Sequence, residues 1–529
     1  MCIMHALCIV QIAMAVRSRD HPAAARKSSG GRPAEPREKP VVSSKPDVRP
    51  GRVVGVLALA GIVAAIMQTL VVPLIGDLPV MLDTSPSNAS WVVTATLLSA
   101  AVATPVAGRL GDMYGKRRML LVSVLPLVAG SVVCALASSV VPMIVGRGLQ
   151  GLGMGVVPLG VSLLRDVLPP EKLGSSIALM SASMGVGGAL GLPFSAAVAE
   201  NASWRVLFWV AAALSLLVAL LAWLFVPAGR VGTGSVRFDV LGAIGLGSGL
   251  ICLLLAVSKG SDWGWTSGTT LGLFAAAVVV LLAWGRWELR SSEPLVDLRV
   301  TARPQVLMTN AASVLVGFAM YAQSLVVPQL LQLPEATGYG LGQSMMAMGL
   351  WMAPAGLMMM ALAPLGAKLS AARGPKVTLS VGALVISLGY GSSLLLMGST
   401  WGLLVVTLIC NTGVGLAYGA MPALIMGAVP QSATASANSF NTLMRSIGSS
   451  AAAAVIGVVL AQMTTDFGGH FLPSENGFRA AMLMGCGVGL AAAVVAAFIP
   501  VREAEAGSQA PETDPETDIE PRPASEATA

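Results

Sequence analysis

Charge is scarce in this sequence. Only 11% of its 529 residues are Asp, Glu, Lys or Arg, against about 25% in a soluble domain. Mean hydropathy is +0.77. A soluble protein is excluded, and an all-α integral membrane protein is implied. The apolar runs lack the strand-like alternation of a membrane β-barrel. Histidine is nearly absent: His5, His21 and His470 are scattered, so no metal and no His-based catalysis is indicated. The six cysteines (Cys2, Cys8, Cys134, Cys252, Cys410 and Cys486) show no CxxC or metal spacing, and most lie in apolar runs as small packing residues. Carboxylates are missing from the middle of every predicted span. A lipid-linked transferase or similar membrane enzyme would need paired carboxylates or a catalytic His near an interface, and neither is present. No cofactor is expected, and the chain is not expected to be an enzyme.

What is present is a long succession of apolar runs. Between residues 53 and 501 the breaks at charged, Pro and Gly positions leave about fourteen spans, centred near Val63, Leu98, Val128, Val156, Val186, Leu216, Leu250, Val278, Val316, Leu357, Val385, Gly415, Ala453 and Leu490. Outside them, residues 1–52 form a basic tail and 502–529 an acidic one, and both have disorder-prone compositions. The apolar opening "MCIMHALCIVQIAMAV" is short, without the charged start of a signal peptide. It is either a minor anchor or lies ahead of the true start.

The net charge of +6 does not point to nucleic acid. One set of loops holds Arg109, Lys116, Arg117, Arg118, Arg165, Lys172, Arg230, Arg286, Arg299, Lys368 and Arg373, whereas the opposite set offers little beyond Arg205, Lys259 and Arg479. The first set is expected in the cytoplasm, with both termini inside.

The chain repeats itself. "LVVPLIGDLP" at 70–79 matches "LVVPQLLQLP" at 325–334 in six of ten places, at an offset of 255. Pro105, Leu110 and Gly115 match Pro364, Leu369 and Gly374 at an offset of 259, and Gly151, Gly155 and Pro158 match Gly415, Gly419 and Pro422 at 264. Two six-helix halves follow, 53–230 and 291–501, with an extra helix pair between them at 231–290. Parallel repeats around a central cavity suit alternating access.

Four cations and one carboxylate crowd into "GRLGDMYGKRRML", residues 108–120. Gly108 and Gly115 permit a tight turn, and the cations hold the loop in the cytoplasm. The pattern Gly108, Leu110, Asp112, Gly115, Lys116, Arg117, Leu120 resembles the loop between helices 2 and 3 of the major facilitator superfamily, in its fourteen-helix drug:proton antiporter branch. Met113 departs from it, since a basic residue is usual there. A second block, "MIVGRGLQGLGMG" at 143–155, resembles that family's helix 4, with Arg147, Gln150, Gly151 and Gly153. An arginine inside a span costs about 2.5–3.5 kcal/mol on insertion scales and faces a cavity or a partner; the alternative is an arginine that snorkels to the outer interface. Gly151 and Gly155 form a small-xxx-small packing face. A third block, "GVGGALGLPF" at 185–194, shares the glycines of the family's helix 5 (Gly187 and Gly191, with Pro193) but lacks its Gly-Pro pair.

The resemblance implies export of small amphipathic, drug-like compounds by proton antiport from a multi-pass cell-membrane protein whose partners are substrate, protons and lipid, with a monomer the favoured form. It implies a proton or substrate role for Arg147. It also implies that Asp112 faces the cytoplasmic start of the thirteenth helix near 432–436; the charges of this turn, Lys116 among them, are then expected to form a conformational latch, with Arg117 or Arg118 holding Asp112 and reaching Asp166. The helix 1 aspartate usual in this branch is missing: "AAIMQTLVVP" has Gln68 and Thr69 instead, and Asp77 is the nearest carboxylate. That departure leaves open a metabolite or nutrient porter without proton coupling. Further polar candidates for the pathway are Gln150, Asn310, Gln323, Asn411, Asn441 and Arg445. A methionine-rich span, with Met345, Met346, Met348, Met352, Met358, Met359 and Met360, offers a wall that can repack around apolar ligands or simply fill gaps.

Overall fold

The computed structural model describes residues 50–71, 74, 78–227, 237–467 and 470–500. The expectations made for the two tails, for Asp77 and for Arg230 fall outside those residues. Fourteen helices are long and apolar enough to cross a bilayer: α1 (Pro50–Thr69), α2 (Asn88–Tyr114), α3 (Lys116–Leu136), α4 (Val140–Val167), α5 (Pro170–Ala199), α6 (Arg205–Phe225), α7 (Val240–Gly260), α8 (Gly268–Arg290), α9 (Pro304–Gln332), α10 (Met345–Arg373), α11 (Pro375–Leu396), α12 (Thr400–Ala428), α13 (Gln431–Gln462) and α14 (Glu475–Ala497). Each centre expected from the sequence lies in one of them. In lipid a backbone must satisfy its own polar groups, so the helix is the form these runs can take.

Helix starts follow local chemistry. Ser85, Asp239, Ser267, Ser344, Ser399 and Ser474 each accept a backbone N–H of the first turn of the helix they precede. Gly115 separates α2 from α3 at φ 96°, and Gly374 separates α10 from α11 at φ 85°. These positions are 259 residues apart, so each repeat uses a glycine in the left-handed region at the same turn. Two of the helices are interrupted: in α4, Gly153–Gly155 make a single 3-10 turn, and α10 breaks at Leu362 between Ala361 and Ala363. A small antiparallel hairpin precedes α14, β1 (Thr464–Phe467) on β2 (His470–Pro473), with Thr464 opposite Pro473.

Packing divides along the repeats. One core joins α1 to α6 through residues such as Val63, Met67, Val124, Leu127 and Phe208. Another joins α9 to α14 through Val316, Leu330, Ile386, Val406, Met421 and Phe478. A third lies where α2, the extra pair and α13 meet, with Leu98, Leu246, Leu250, Leu254 and Leu443. Within the extra pair, α7 packs on α8 and also against α2 and α13, while only 17% of the α8 window is buried. The glycines expected at helix contacts do lie there. Gly151 and Gly155 bring α4 against Ser99 and Ala107 of α2, and Gly187 and Gly191 bring α5 against Ala65 and Thr69 of α1.

Candidate functional site

Three polar clusters interrupt this apolar body. The first joins the two repeats at the end of the bundle that carries most of the Lys and Arg. Asp112, in the last turn of α2, accepts from the backbone N–H of Ala435 (3.0 Å) and of Ser436 (2.8 Å). These are free donors of the first turn of α13, where the helix carries roughly half a positive charge. The close approach needs Gly108: a Cβ there would lie 2.6 Å from Ser439 Cβ and 2.7 Å from the Ala435 carbonyl oxygen.

Around that contact the chain adds cross-links the sequence reading did not include. Arg165 donates to Val429 O (3.2 Å) and Thr434 Oγ1 (3.1 Å). Ser162 donates to Thr434 O (3.2 Å), and Asn438 donates to Ser162 (3.3 Å). Gln431 donates to Asp166 (3.2 Å). Arg165 had been read only as a loop cation. Its position beside Asp166 at the end of α4 was the available signal.

The arginines are not where they were expected. Lys116, not Arg117 or Arg118, pairs with Asp166, at 2.8 Å with only 7% of its side chain exposed. Arg117 donates to the Trp223 carbonyl at the end of α6 (2.6 Å), and Arg118 is exposed. Asp112 needs no arginine, because the helix start supplies its donors.

The second cluster is centred on Arg147, which is 2% exposed. It does not snorkel. Its Nη1 donates to Met67 O (2.8 Å) and Gln150 Oε1 (2.7 Å), and its Nε to Val92 O (3.3 Å). Gln150 continues to Ser131 (2.8 Å). Met67 lies in the last turn of α1, whose carbonyls lack intrahelical donors, so the guanidinium caps the negative end of a helix. All these partners belong to the N-terminal half. Gln68, one residue on, is exposed.

The third cluster belongs to the C-terminal half and faces the N-terminal one. Asn441 donates to Asn310 (2.9 Å) and Ser313 (2.7 Å). Arg445 donates to Asn441 Oδ1 and to Thr442 Oγ1, both at 3.3 Å, and its guanidinium lies 4.6 Å from the Tyr418 ring centroid. Of these, Asn441, Thr442 and Arg445 line a pocket between the halves, walled also by Val157, Pro158 and Val161 of α4, Ser181 and Met184 of α5, Tyr418 and Pro422 of α12, and Asn438 of α13. Arg147 does not line it. Gln323 and Asn411 meet separately, at 3.4 Å. The repeat offset of 264 that pairs Gly151 with Gly415 also pairs Arg147 with Asn411, so the two halves use different polar groups at equivalent places.

Comparison with known proteins agrees with this architecture. The sequence profile of the Major Facilitator Superfamily matches residues 57–453. An uncharacterized MFS-type transporter of Mycobacterium tuberculosis, Rv1877, is 30% identical over 305 residues, 57% of this chain and 44% of the relative. This chain thus spans less than half the length of that relative. The tetracenomycin C resistance and export protein of Streptomyces glaucescens is 27% identical over 400 residues, 73% of this chain and 71% of the relative. Among solved structures, the human organic anion transporter MFSD10 superposes with a TM-score of 0.59 at 15% identity, over 85% of this chain and all of that one. That likeness speaks to the fold alone.

Proposed function

The chain belongs to the Major Facilitator Superfamily and is a multi-pass membrane transporter, and from that premise we propose that it exports small amphipathic compounds from the cytoplasm by alternating access. The positive-inside rule supports reading the basic end, with Asp112, Lys116 and Arg165, as the cytoplasmic end, and with it a cytoplasmic side for the start of α1 and the end of α14. The observation that carries the reading is the clamp itself. One carboxylate of the first repeat is bonded to the helix start of the second, and every cross-link around it closes the same end. A contact of this kind is complete in one arrangement of the halves and lost in the other, which is what a switch between two access states requires. The description of the Streptomyces relative as a resistance and export protein supports the outward direction.

Export in exchange for protons is the finer form of this reading. Against it stands the scarcity of acids. Asp112, Asp166 and Glu288 are engaged away from the pocket, and none of the described residues lining the pocket is a carboxylate. That favours, as a second reading, export or metabolite transport that does not pass protons through a central carboxylate.

The test is a resistance panel in a pump-deficient host. The wild type should raise inhibitory concentrations for a subset of amphipathic compounds, and Asp112→Asn at equal protein level should not. Unchanged resistance to every compound in the panel would overturn the export reading. For orientation, reporters fused after Pro227 and Arg299 should sit in the cytoplasm, and after Asp262 and Gly469 outside.

A further inference from the structure

The pocket between the halves holds a charge without a counter-charge. Among the described residues that line it, Arg445 is the single ionic side chain. It is 8% exposed. Its hydrogen-bond partners are neutral side chains: Asn441 Oδ1 and Thr442 Oγ1, each at 3.3 Å, and the Tyr418 hydroxyl, which leaves N–H donors of the five unused. Its ring partner Tyr418 is also neutral and is itself buried. Asn441, which accepts from Arg445, is fixed by Asn310 and Ser313, so the guanidinium is held in place from below.

About two turns earlier on α13, Asn438 is 3% exposed and its Oδ1 accepts from nothing. The pocket therefore offers unused donors on a cation and, further along the same helix, an unused acceptor. Its remaining walls are mostly apolar, with Val157, Val161 and Met184 on the N-terminal half beside the Ser181 hydroxyl.

We infer that this pocket selects anions: its ligand is an amphipathic weak acid whose carboxylate or ionised phenol is held by Arg445 and whose hydroxyl or N–H is accepted by Asn438. A guanidinium in a low-dielectric site gains most from an acceptor that takes two of its N–H groups at once, and a carboxylate has that shape. A lipophilic cation would meet like charge with no acid to offset it. In this closed arrangement the void is narrow, so a ligand enters when the halves part.

The inference rests on the export reading and accounts for its weakest point. A membrane that is negative inside drives an anion outward without a carried proton, by about 50-fold per charge for each 100 mV. A transporter for anions has no need of the carboxylate that this chain's first helix lacks.

The experiment uses two dyes built on one xanthene frame, fluorescein (an anion at pH 8) and rhodamine 123 (a cation). Binding of each to the purified full chain in lipid nanodiscs is read by fluorescence anisotropy. Wild type should bind fluorescein at least about tenfold more tightly than rhodamine 123, the equivalent of one charge-assisted hydrogen bond or a little less. Arg445→Gln should bring the two within about threefold, and Arg445→Lys, which keeps the charge, should retain the preference. Equal or tighter binding of rhodamine 123 by wild type overturns the inference, as does binding of neither dye, or a preference that survives Arg445→Gln. Dye efflux from pump-deficient cells is read separately. A preference for fluorescein in nanodiscs with no efflux from cells would overturn the export reading while leaving the charge selection standing.

Discussion

Two seams join the halves, and the internal repeat relates them. In one, α2 of the first repeat meets α13 of the second. In the other, α10, the repeat partner of α2, meets α5, the repeat partner of α13. The α2/α13 seam ends in directional bonds: Asp112 on the first turn of α13, with Arg165, Ser162 and Asn438 alongside. The α5/α10 seam is built from small residues. Gly356 lies on Gly185 and Ala189, Gly349 on Pro193, and Gly185 on Met359. Ala371, which aligns with Asp112, is exposed, and α5 begins at Pro170 with no side chain capping it. Hydrogen bonds to a helix start are made or broken over about an ångström, whereas close-packed glycines allow two helices to slide or pivot while staying in contact. Under the proposed alternating-access cycle, one seam would serve as a catch and its mirror as a bearing, from the same repeated helices.

That contrast can be broken in order of size. Asp112→Asn should lower transport at least about tenfold, since a charge-assisted contact of 1.5–3 kcal/mol is lost from one state. It should also raise labelling of a cysteine at Ser439 in a cysteine-free background, while the melting temperature stays nearly constant. Wild-type labelling together with wild-type transport would remove the catch. Gly356→Leu should do the reverse: overpacking of about 1–3 kcal/mol lowers the yield and melting temperature, while transport per folded molecule falls no more than about threefold. Arg165→Gln removes two bonds to neutral acceptors and should cost transport about two- to fivefold, read as initial efflux rate. Ala371→Asp places an acid in the bearing. If α5 can use it as α13 uses Asp112, turnover should slow about twofold, in line with 0.3–1 kcal/mol for a carboxylate near an exposed helix start.

The span count and the repeat were legible because each is carried by local features, hydropathy and glycine spacing, whereas the place of Asp112 opposite the start of α13 came only through the family resemblance of its basic turn. The partners of Arg147 were not legible. They are the carbonyls of Met67 and Val92, and a backbone atom leaves no mark in a sequence. The exchange of roles between Lys116 and Arg117 was hidden for a different reason. Consecutive residues at the start of α3 point in different directions round the helix, so Lys116 turns inward to Asp166 and Arg117 toward α6, and the phase of that first turn depends on the φ of Gly115. The cross-links from Arg165 and Asn438 depend on how the two halves dock, which neither half encodes alone.

The extra helix pair has a consequence for how each seam is solvated. α7 lies against both α2 and α13, and at its far end Lys259 is buried beside Ser90, to which it donates, and the Trp91 ring of α2. The flank of the α2/α13 seam is thus covered by protein. Among the described residues no such helix covers α5 and α10, where Leu190, Phe194, Leu350 and Leu357 are exposed. In a bilayer those side chains meet acyl chains. The thickness and fluidity of the surrounding lipid therefore bear more directly on the α5/α10 seam than on the flank of the α2/α13 seam that α7 covers.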